Sequence, residues 1–529
     1  MTDTRVNTTL LMIMDGWGVA PPSPSNPVTA TNAPHYFAWK KEFPYTELKA
    51  SGEAVGLPRG QEGNSEAGHL NLGAGRVIEQ DAVRISAAIA DGTFFKNNAF
   101  IQAVRYIKKY RAAAHVMGLL SNHNSAHSTP EQLYALLDLL HREGITRVYL
   151  HLFTDGRDSG QHDAPHLLKK LEAHFHGTEQ VATIMGRLYA MDRNKLWERT
   201  KAAYDAIVSR HAPHRVENPQ EALAQAYNRA ESDEFVAPTL VQVAGGDRRG
   251  RISAHDGIFF FNLRSDRARQ LTKAFVQPDF EHINHESFRR RRVLTNIRFV
   301  AMTDFGPDLP GVLTAFPSCD VAASLVATLC PRRQLYIAES EKFAHITYFF
   351  NGGYAHHFCD ERWVKITSDP ISHYEDRPAM KAKHIADYVI RAIKQHHFEF
   401  IAVNFANADM IGHTGDWAAA VAAVTTLDHE IYRVVQTLLK EGGQGILTAD
   451  HGNIEEMKDL STSEVNTEHS RNLVPCVILA GTADWRRYGQ RRASRPQVRR
   501  GGSLSNVAPT LLKMMGLPQP PEMTAKALF

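Results

Sequence analysis

The chain has 529 residues, a formal net charge of +3, 43% hydrophobic and 22% charged residues, the balance of an ordinary globular protein rather than a disordered or fibrous one. At roughly 150 residues per domain the length predicts two to four domains with ample core and excludes a small stapled scaffold. So small a net charge makes no electrostatic case for a nucleic-acid or membrane partner, although 27 histidines make the charge sensitive to mild acid.

Taken in chain order, short apolar runs alternate with amphipathic stretches and no repeat of fixed period is visible. Leu10–Met14 reads as a buried strand that breaks onto Asp15 in MDGWG. The Gly-rich segment Gly60–Gly75, GQEGNSEAGHLNLGAG, reads as a flexible passage whose glycines permit close backbone approach, and the residues following Ser65 could open a helix whose N-terminus favours anions. Within it Ser65 has two readings, an N-cap in a Gly-rich turn or a hydroxyl nucleophile activated by a neighbouring cation. Pro130–His141 has helical spacing, Val148–Phe153 is a strand running toward DGRD (Asp155–Asp158), and Val181–Met185 is a strand running into GRLYAMDR with Arg187 and Arg193. Asp192–Ser209 reads as a helix, and Gly257–Asn262 as a strand followed by Arg264 and Arg267. Arginine forks match phosphate and carboxylate, so several converging on a cleft suit a small substrate carrying both, while surface pairing is the ordinary use of any one of them. After a second flexible stretch, Thr303–Gly311, come Lys342 in ESEKFAH, a helix over Met380–Lys394, a strand over Ile401–Phe405, a helix over Trp417–Leu439 and a strand over Gly445–Ala449. The alternation predicts an α/β fold with largely parallel sheets, in which ligands sit at the C-terminal strand ends.

An acidic and histidine-rich set is spread over both chain ends: Asp15, Asp409 and His413 in NADMIGH, Asp450 and His451 in TADHGN, and His469 in TEHS. Carboxylate and imidazole donors without cysteine suit a pair of divalent ions rather than a thiolate zinc site. Asp409 and His413, four apart, can share a helix face. A single such residue is ordinarily a cap or a core histidine; six at strand and helix ends point to metal. The cysteines, Cys319, Cys330, Cys359 and Cys476, show no CxxC spacing or dense framework, which fits a reducing cytosol. The N-terminus shows no export signal and no apolar run approaches a membrane span, so a cytoplasmic chain without membrane attachment is expected. Two arginine patches, Arg289–Arg292 and seven arginines from Arg486 to Arg500, read as solvated surface because they lack interleaved aromatics.

In order, MDGWG, GNSEAGHLNLGAGR, DGRD, GRLYAMDR, FFFNLRSDRARQ, ESEKFAHITYFFNGG, NFANADMIGHTG, TADHGN and APTLLKMMGLPQPPEM resemble the cofactor-independent phosphoglycerate mutases nearly end to end. The resemblance implies an alkaline-phosphatase-like domain, residues 1–79 and 313–529, with an inserted α/β phosphotransferase domain over residues 80–312. It implies one Mn²⁺ on Asp409, His413 and His469, and a second on Asp15, Ser65, Asp450 and His451, with Mg²⁺ or Co²⁺ as alternatives. Ser65 would be the phosphoryl acceptor, and His127, Arg157, Asp158, Arg187, Arg193, Arg264, Arg267 and Lys342 would contact substrate, with Asp158 as base. The implied activity is interconversion of 3-phosphoglycerate and 2-phosphoglycerate in glycolysis and gluconeogenesis through a phosphoserine, without 2,3-bisphosphoglycerate. A cytoplasmic monomer with no nucleic-acid or membrane partner is implied as well. Where the family reads SDGGVHSH, this chain has SNHNSAHST from Ser121 to Thr129, with Asn124 and Ser125 in place of glycines and Ser128 in place of histidine.

Overall fold

The computed structural model describes residues 7–122, 125–246, 249–317, 321–371, 373–480 and 498–529. Asn124, Cys319, Arg486, Arg487, Arg491, Arg492 and Arg495, singled out above, lie outside the described residues. The chain divides into two compact units, Met1–Gln80 with Asp320–Phe529, and Asp81–Cys319.

In chain order, the first unit contributes β1 (Thr9–Met14) and β2 (Tyr45–Lys49). The inserted unit supplies β3 (Ala114–Leu120), β4 (Val148–Thr154), β5 (Glu179–Gly186), β6 (His214–Val216), β7 (Thr239–Val241), β8 (Gly257–Phe260), β9 (Arg298–Thr303) and β10 (Val312–Phe316). The first unit resumes with β11 (Gln334–Glu339), β12 (Glu361–Ile366), β13 (Phe400–Phe405), β14 (Gln444–Thr448), β15 (Val474–Leu479) and β16 (Gly502–Ser503). Each unit holds one eight-stranded sheet, ordered β12-β11-β13-β1-β14-β15-β2-β16 and β10-β9-β8-β3-β4-β5-β7-β6. The run β12-β11-β13-β1-β14 is parallel throughout, as is β10-β9-β8-β3-β4-β5, whereas β14–β15, β15–β2 and β5–β7 are antiparallel. The strands read as unbroken apolar runs because both faces are covered. In the inserted unit Val116, Leu152, Phe259 and Val300 pack into one core, while their neighbours Met117, Phe153, Phe260 and Phe299 pack into another, the period-two split of a sheet buried on both sides.

Several expectations are corrected. The border expected at 312 falls on the first residue of β10, whose ladder to β9 keeps it within the inserted unit. Gly60–Gly75 is not a flexible passage: Ser65–Ala74 is a helix with eight buried residues, capped by the Asn64 side chain on the Ala67 amide. Ser65 is therefore its first residue and not its cap. The helix expected from Asp192 begins at Trp197, because the Asp192 carboxylate takes the amides of Asn194 and Leu196 and makes a turn instead. The strand at Gly257 stops at Phe260, and the Asn262 side chain accepts the Leu119 amide at 2.8 Å. The helix expected from Met380 begins at Ala382. The first arginine patch is not all surface: Arg290 is buried, its guanidinium spread over the Glu281 carboxylate and the carbonyls of Ala274, Gln277 and Pro278. Cys330 and Cys359 form a disulfide and Cys476 is a buried free thiol, a pairing that the cysteine spacing does not announce. Among the described residues no helix is long and apolar enough to cross a membrane.

Candidate active site

In the first unit the C-terminal ends of four adjacent parallel strands, β11, β13, β1 and β14, carry the acidic and histidine-rich set. Asp15 follows β1; Lys342 follows β11; Asp409 lies on the helix Asn407–Gly412 just beyond β13; Asp450 and His451 follow β14. Gly16 adopts φ +75°, and a Cβ there would lie 2.6 Å from the Asp409 Cα, so the turn after Asp15 tolerates no side chain. Ser65 Oγ sits 2.8 Å from Lys342 Nζ, 3.0 Å from His451 Nε2 and 3.2 Å from Asp15 Oδ1. Lys342 Nζ also donates to Asp15 Oδ1 and Asp409 Oδ2, each at 2.6 Å. On the far side of Asp409 its Oδ1 lies 3.1 Å from His469 Nε2 and 3.4 Å from His413 Nε2, the expected i,i+4 pair, and the two imidazole nitrogens are 3.1 Å apart.

The electrostatics are those of a buried anionic cluster. Burial opposes ionisation of Asp15 and Asp409, but the Lys342 ammonium, together with the hydrogen bonds of His451 to Asp15 and of His413 and His469 to Asp409, outweighs it and holds both well below the usual carboxylate range. Burial likewise opposes charge on Lys342, and Asp15 and Asp409 override it to raise the ammonium above its ordinary value. Against the same burial, Asp450 and Asp15 push His451 up to about 9. Three buried carboxylates thus face the Lys342 ammonium and the His451 imidazole, and the Asp450 Oδ2 atom has no hydrogen-bond partner. Uncompensated buried charge costs several kcal/mol per ion, so the cluster calls for further cations. Ligand atoms of Asp409, His451 and His469, and those of Asp15, Asp450 and His451, lie within 4.8 Å of one another. Oxygen and imidazole donors of this kind fit divalent ions. His451 differs from expectation in standing between the two groups: its Nε2 lies 3.5 Å from Asp15, 3.6 Å from Asp450 and 3.8 Å from Asp409.

The inserted unit gathers the other predicted residues at the C-terminal ends of its own adjacent strands β8, β3, β4 and β5. His127 lies on the loop after β3, Arg157 and Asp158 follow β4, Arg187 and Arg193 follow β5, and Arg264 and Arg267 follow β8. Asp158 Oδ2 is held by Ser125 Oγ at 2.7 Å and Arg187 at 3.1 Å. Burial opposes its ionisation, yet Arg187 and the Ser125 hydroxyl bring its carboxyl below the ordinary value. His127 is pushed down to about 3, first by burial and then by Arg187 and Arg264. Arg193 and Arg264 share the carboxylate of Asp266, at 2.9 and 3.4 Å, and Arg157 lies 3.4 Å from Glu234. Arg267 is held below its ordinary value by burial and by the charges of Arg187 and Arg193, which places like charges close enough to repel. An anion among them would relieve that field.

The residues that sequence reasoning left out are the supports. Asp155 is buried and accepts Arg187 at 2.5 Å as well as the amides of Arg157 and Asp158, so the first aspartate of DGRD builds the loop that carries the second. Glu455 takes the amides of Gly18 and Asn453, and His69 and Asn404 bridge the acids of the first cluster. Asp155 and His69 lie inside quoted motifs, but only tertiary contact shows what they touch.

Comparison with known proteins agrees with this geometry. The family model for the BPG-independent PGAM N-terminus matches residues 85–307. The 2,3-bisphosphoglycerate-independent phosphoglycerate mutase of Moorella thermoacetica is 43% identical, covering 98% of both chains, and that of Chloroflexus aurantiacus is 41% identical, covering 99% of both. Among solved structures, a phosphoglycerate mutase from Leishmania mexicana, crystallised at low cobalt concentration, superimposes with a TM-score of 0.78 at 27% identity, covering 100% of this chain and 98% of that one. With relatives this similar over their full length, the chain belongs to the 2,3-bisphosphoglycerate-independent phosphoglycerate mutases.

Proposed function

We propose that the chain interconverts 3-phosphoglycerate and 2-phosphoglycerate by passing the phosphoryl group to Ser65 and returning it to the other hydroxyl of the same glycerate. The observation that carries the reading is the setting of the Ser65 hydroxyl, which lies within 3.2 Å of Lys342, His451 and Asp15 inside a buried ring of ligand-type side chains. Two divalent ions, Mn²⁺ in this reading with Mg²⁺ or Co²⁺ as alternatives, would be held by Asp409, His413 and His469 and by Asp15, Ser65, Asp450 and His451; when bound they supply positive charge that lowers the serine pKa and offsets phosphoryl charge.

Arg157, Arg187, Arg193, Arg264 and Arg267 would grip the phosphate and carboxylate of the substrate. Ser65 Oγ forms a bond to phosphorus as the bond from phosphorus to the glycerate oxygen breaks, and Lys342 offsets charge on the transferring group. In the return step Asp158 takes the proton of the second hydroxyl, positioned by His127, and that oxygen bonds to phosphorus as the bond from phosphorus to Ser65 Oγ breaks, with the serine oxygen leaving. Phosphoryl and glycerate are both retained, so no 2,3-bisphosphoglycerate is consumed. Each cluster is drawn from one chain, which supports action as a monomer, and the substrate class supports a cytoplasmic role in glycolysis and gluconeogenesis.

The test is a phosphorus NMR time course with 3-phosphoglycerate and Mn²⁺, without 2,3-bisphosphoglycerate and repeated in EDTA. Formation of 2-phosphoglycerate that EDTA abolishes is expected, and the Ser65→Ala variant should form none. Turnover retained in that variant would overturn the serine route, and inorganic phosphate as the sole product would favour a phosphatase.

A further inference from the structure

We propose that His69 and Asn404 are positioning residues that hold Asp15 and Ser65 in place as parts of one ligand set; the inference rests on the metal reading above. Both side chains are fully buried and neither touches the reacting groups directly. The Asn404 amide nitrogen donates to Asp15 Oδ2 at 2.7 Å and to His69 Nε2 at 2.9 Å. The amide nitrogen is the atom that faces Asp15 Oδ2, a carboxylate oxygen that accepts, which sets the NH₂ toward the acid. The second amide hydrogen then makes His69 Nε2 an acceptor, so the ring proton resides on Nδ1. Nδ1 lies 2.9 Å from the Ser65 carbonyl oxygen, one helical turn back, and donates to it. The same atom is 3.1 Å from Asp450 Oδ2. Hydrogen bonds therefore run outward from the Asn404 amide, one to Asp15 and one through the imidazole to the Ser65 carbonyl, with the Asp450 carboxylate against the ring.

The remaining contacts show why the bracket matters. Asp15 Oδ1 is taken by Lys342, so Asn404 orients the carboxylate from its other oxygen. Asp450 Oδ1 accepts the amides of Gly16 and His451, which leaves Oδ2 facing His69. Asp15 and Ser65, from separate stretches of chain, are thus aligned by two side chains, while Asp450 Oδ2 lies against the imidazole at 3.1 Å. Partners of this kind, which orient ligands without being ligands, ordinarily change metal affinity about ten- to a hundredfold when removed. Asp409, His413 and His469 lie outside the bracket, so its loss should weaken one ion and spare the other.

The experiment is calorimetric titration of the metal-free full chain with Mn²⁺ alone, alongside thermal unfolding in EDTA. His69→Phe and Asn404→Leu keep size and remove the hydrogen bonds, whereas His69→Gln keeps a donor and an acceptor. The expected result is two Mn²⁺ sites in the unaltered chain, one weakened about ten- to a hundredfold in His69→Phe and in Asn404→Leu, with affinity largely restored in His69→Gln. If His69→Phe fails to fold, Asn404→Leu carries the test. Variants that fold and bind both ions as the unaltered chain does would overturn the bracket. Asp15→Asn is the control: if it too leaves both affinities unchanged, the metal reading falls, and the bracket with it.

Discussion

At the scale of single residues the inserted unit is tuned for neutrality at one position and charge at the next. Asp158 stays ionised because Arg187 and the Ser125 hydroxyl outweigh its burial. Removing the hydroxyl in Ser125→Ala must raise the carboxyl pKa, so the acidic limb of kcat/KM against pH is expected to move to higher pH. An unmoved limb would remove Asp158 from the base role. A second consequence concerns stability. His127 is uncharged in the fold, pushed down to about 3 from an ordinary 6.5 by burial, Arg187 and Arg264. The unfolded chain therefore binds more protons between those values, and the stability its neutral form contributes is whole above about pH 6.5 and lost as the pH falls toward 3. In His127→Gln the decline of Tm from pH 7 to pH 5 should be shallower than in the unaltered chain, and an equal slope would show that His127 carries no such linkage.

At the scale of elements the decisive piece is the helix Ser65–Ala74. It lies so close to the end of β14 that a Cβ on Gly68 would stand 2.6 Å from the Asp450 carbonyl oxygen and 2.8 Å from its Cβ. Gly68→Ala must push the helix away from Asp450, carrying Ser65 with it. Overpacking of this kind costs about 1–3 kcal/mol. We expect that loss in chemical denaturation together with a fall in turnover larger than the change in substrate KM, since the serine rather than the arginine cluster is displaced. Unchanged turnover would mean that helix and strand are not rigidly coupled. The glycines of GNSEAGHLNLGAG were legible as sites of close approach, but the same glycines suggested flexibility. Buried packing of Ala67, Leu72 and Ala74 decided for a helix.

At the scale of the whole molecule each unit has cores of its own, one in the first unit and separate ones on the two faces of the inserted sheet. All of the proposed metal ligands belong to the first unit. A ligand that binds the folded form stabilises it by RT ln(1 + [L]/Kd), about 2.7 kcal/mol at a hundred times Kd. Scanning calorimetry with Mn²⁺ should therefore raise the transition that involves Met1–Gln80 and Asp320–Phe529, with limited proteolysis identifying which unit is protected. Protection confined to residues 81–319 would contradict the ligand assignment.

The sequence by itself determined the α/β class, the strands that end on Asp15 and Asp450, the i,i+4 pairing of Asp409 with His413, and the family, because periodicity, strand-end polarity and ordered motifs are local properties of the chain. The split of the candidate residues into two clusters came with the motifs too, since one group lies at the two chain ends and the other in the middle. What only the tertiary structure decided is who touches whom: that His451 stands between two ligand groups, that Asp155 holds Arg187, that Arg290 is interior, that Cys330 meets Cys359, and that His69 and Asn404 reach two distant acids and a serine. Such contacts depend on strand order and on the approach of segments tens to hundreds of residues apart, and no local pattern encodes that approach.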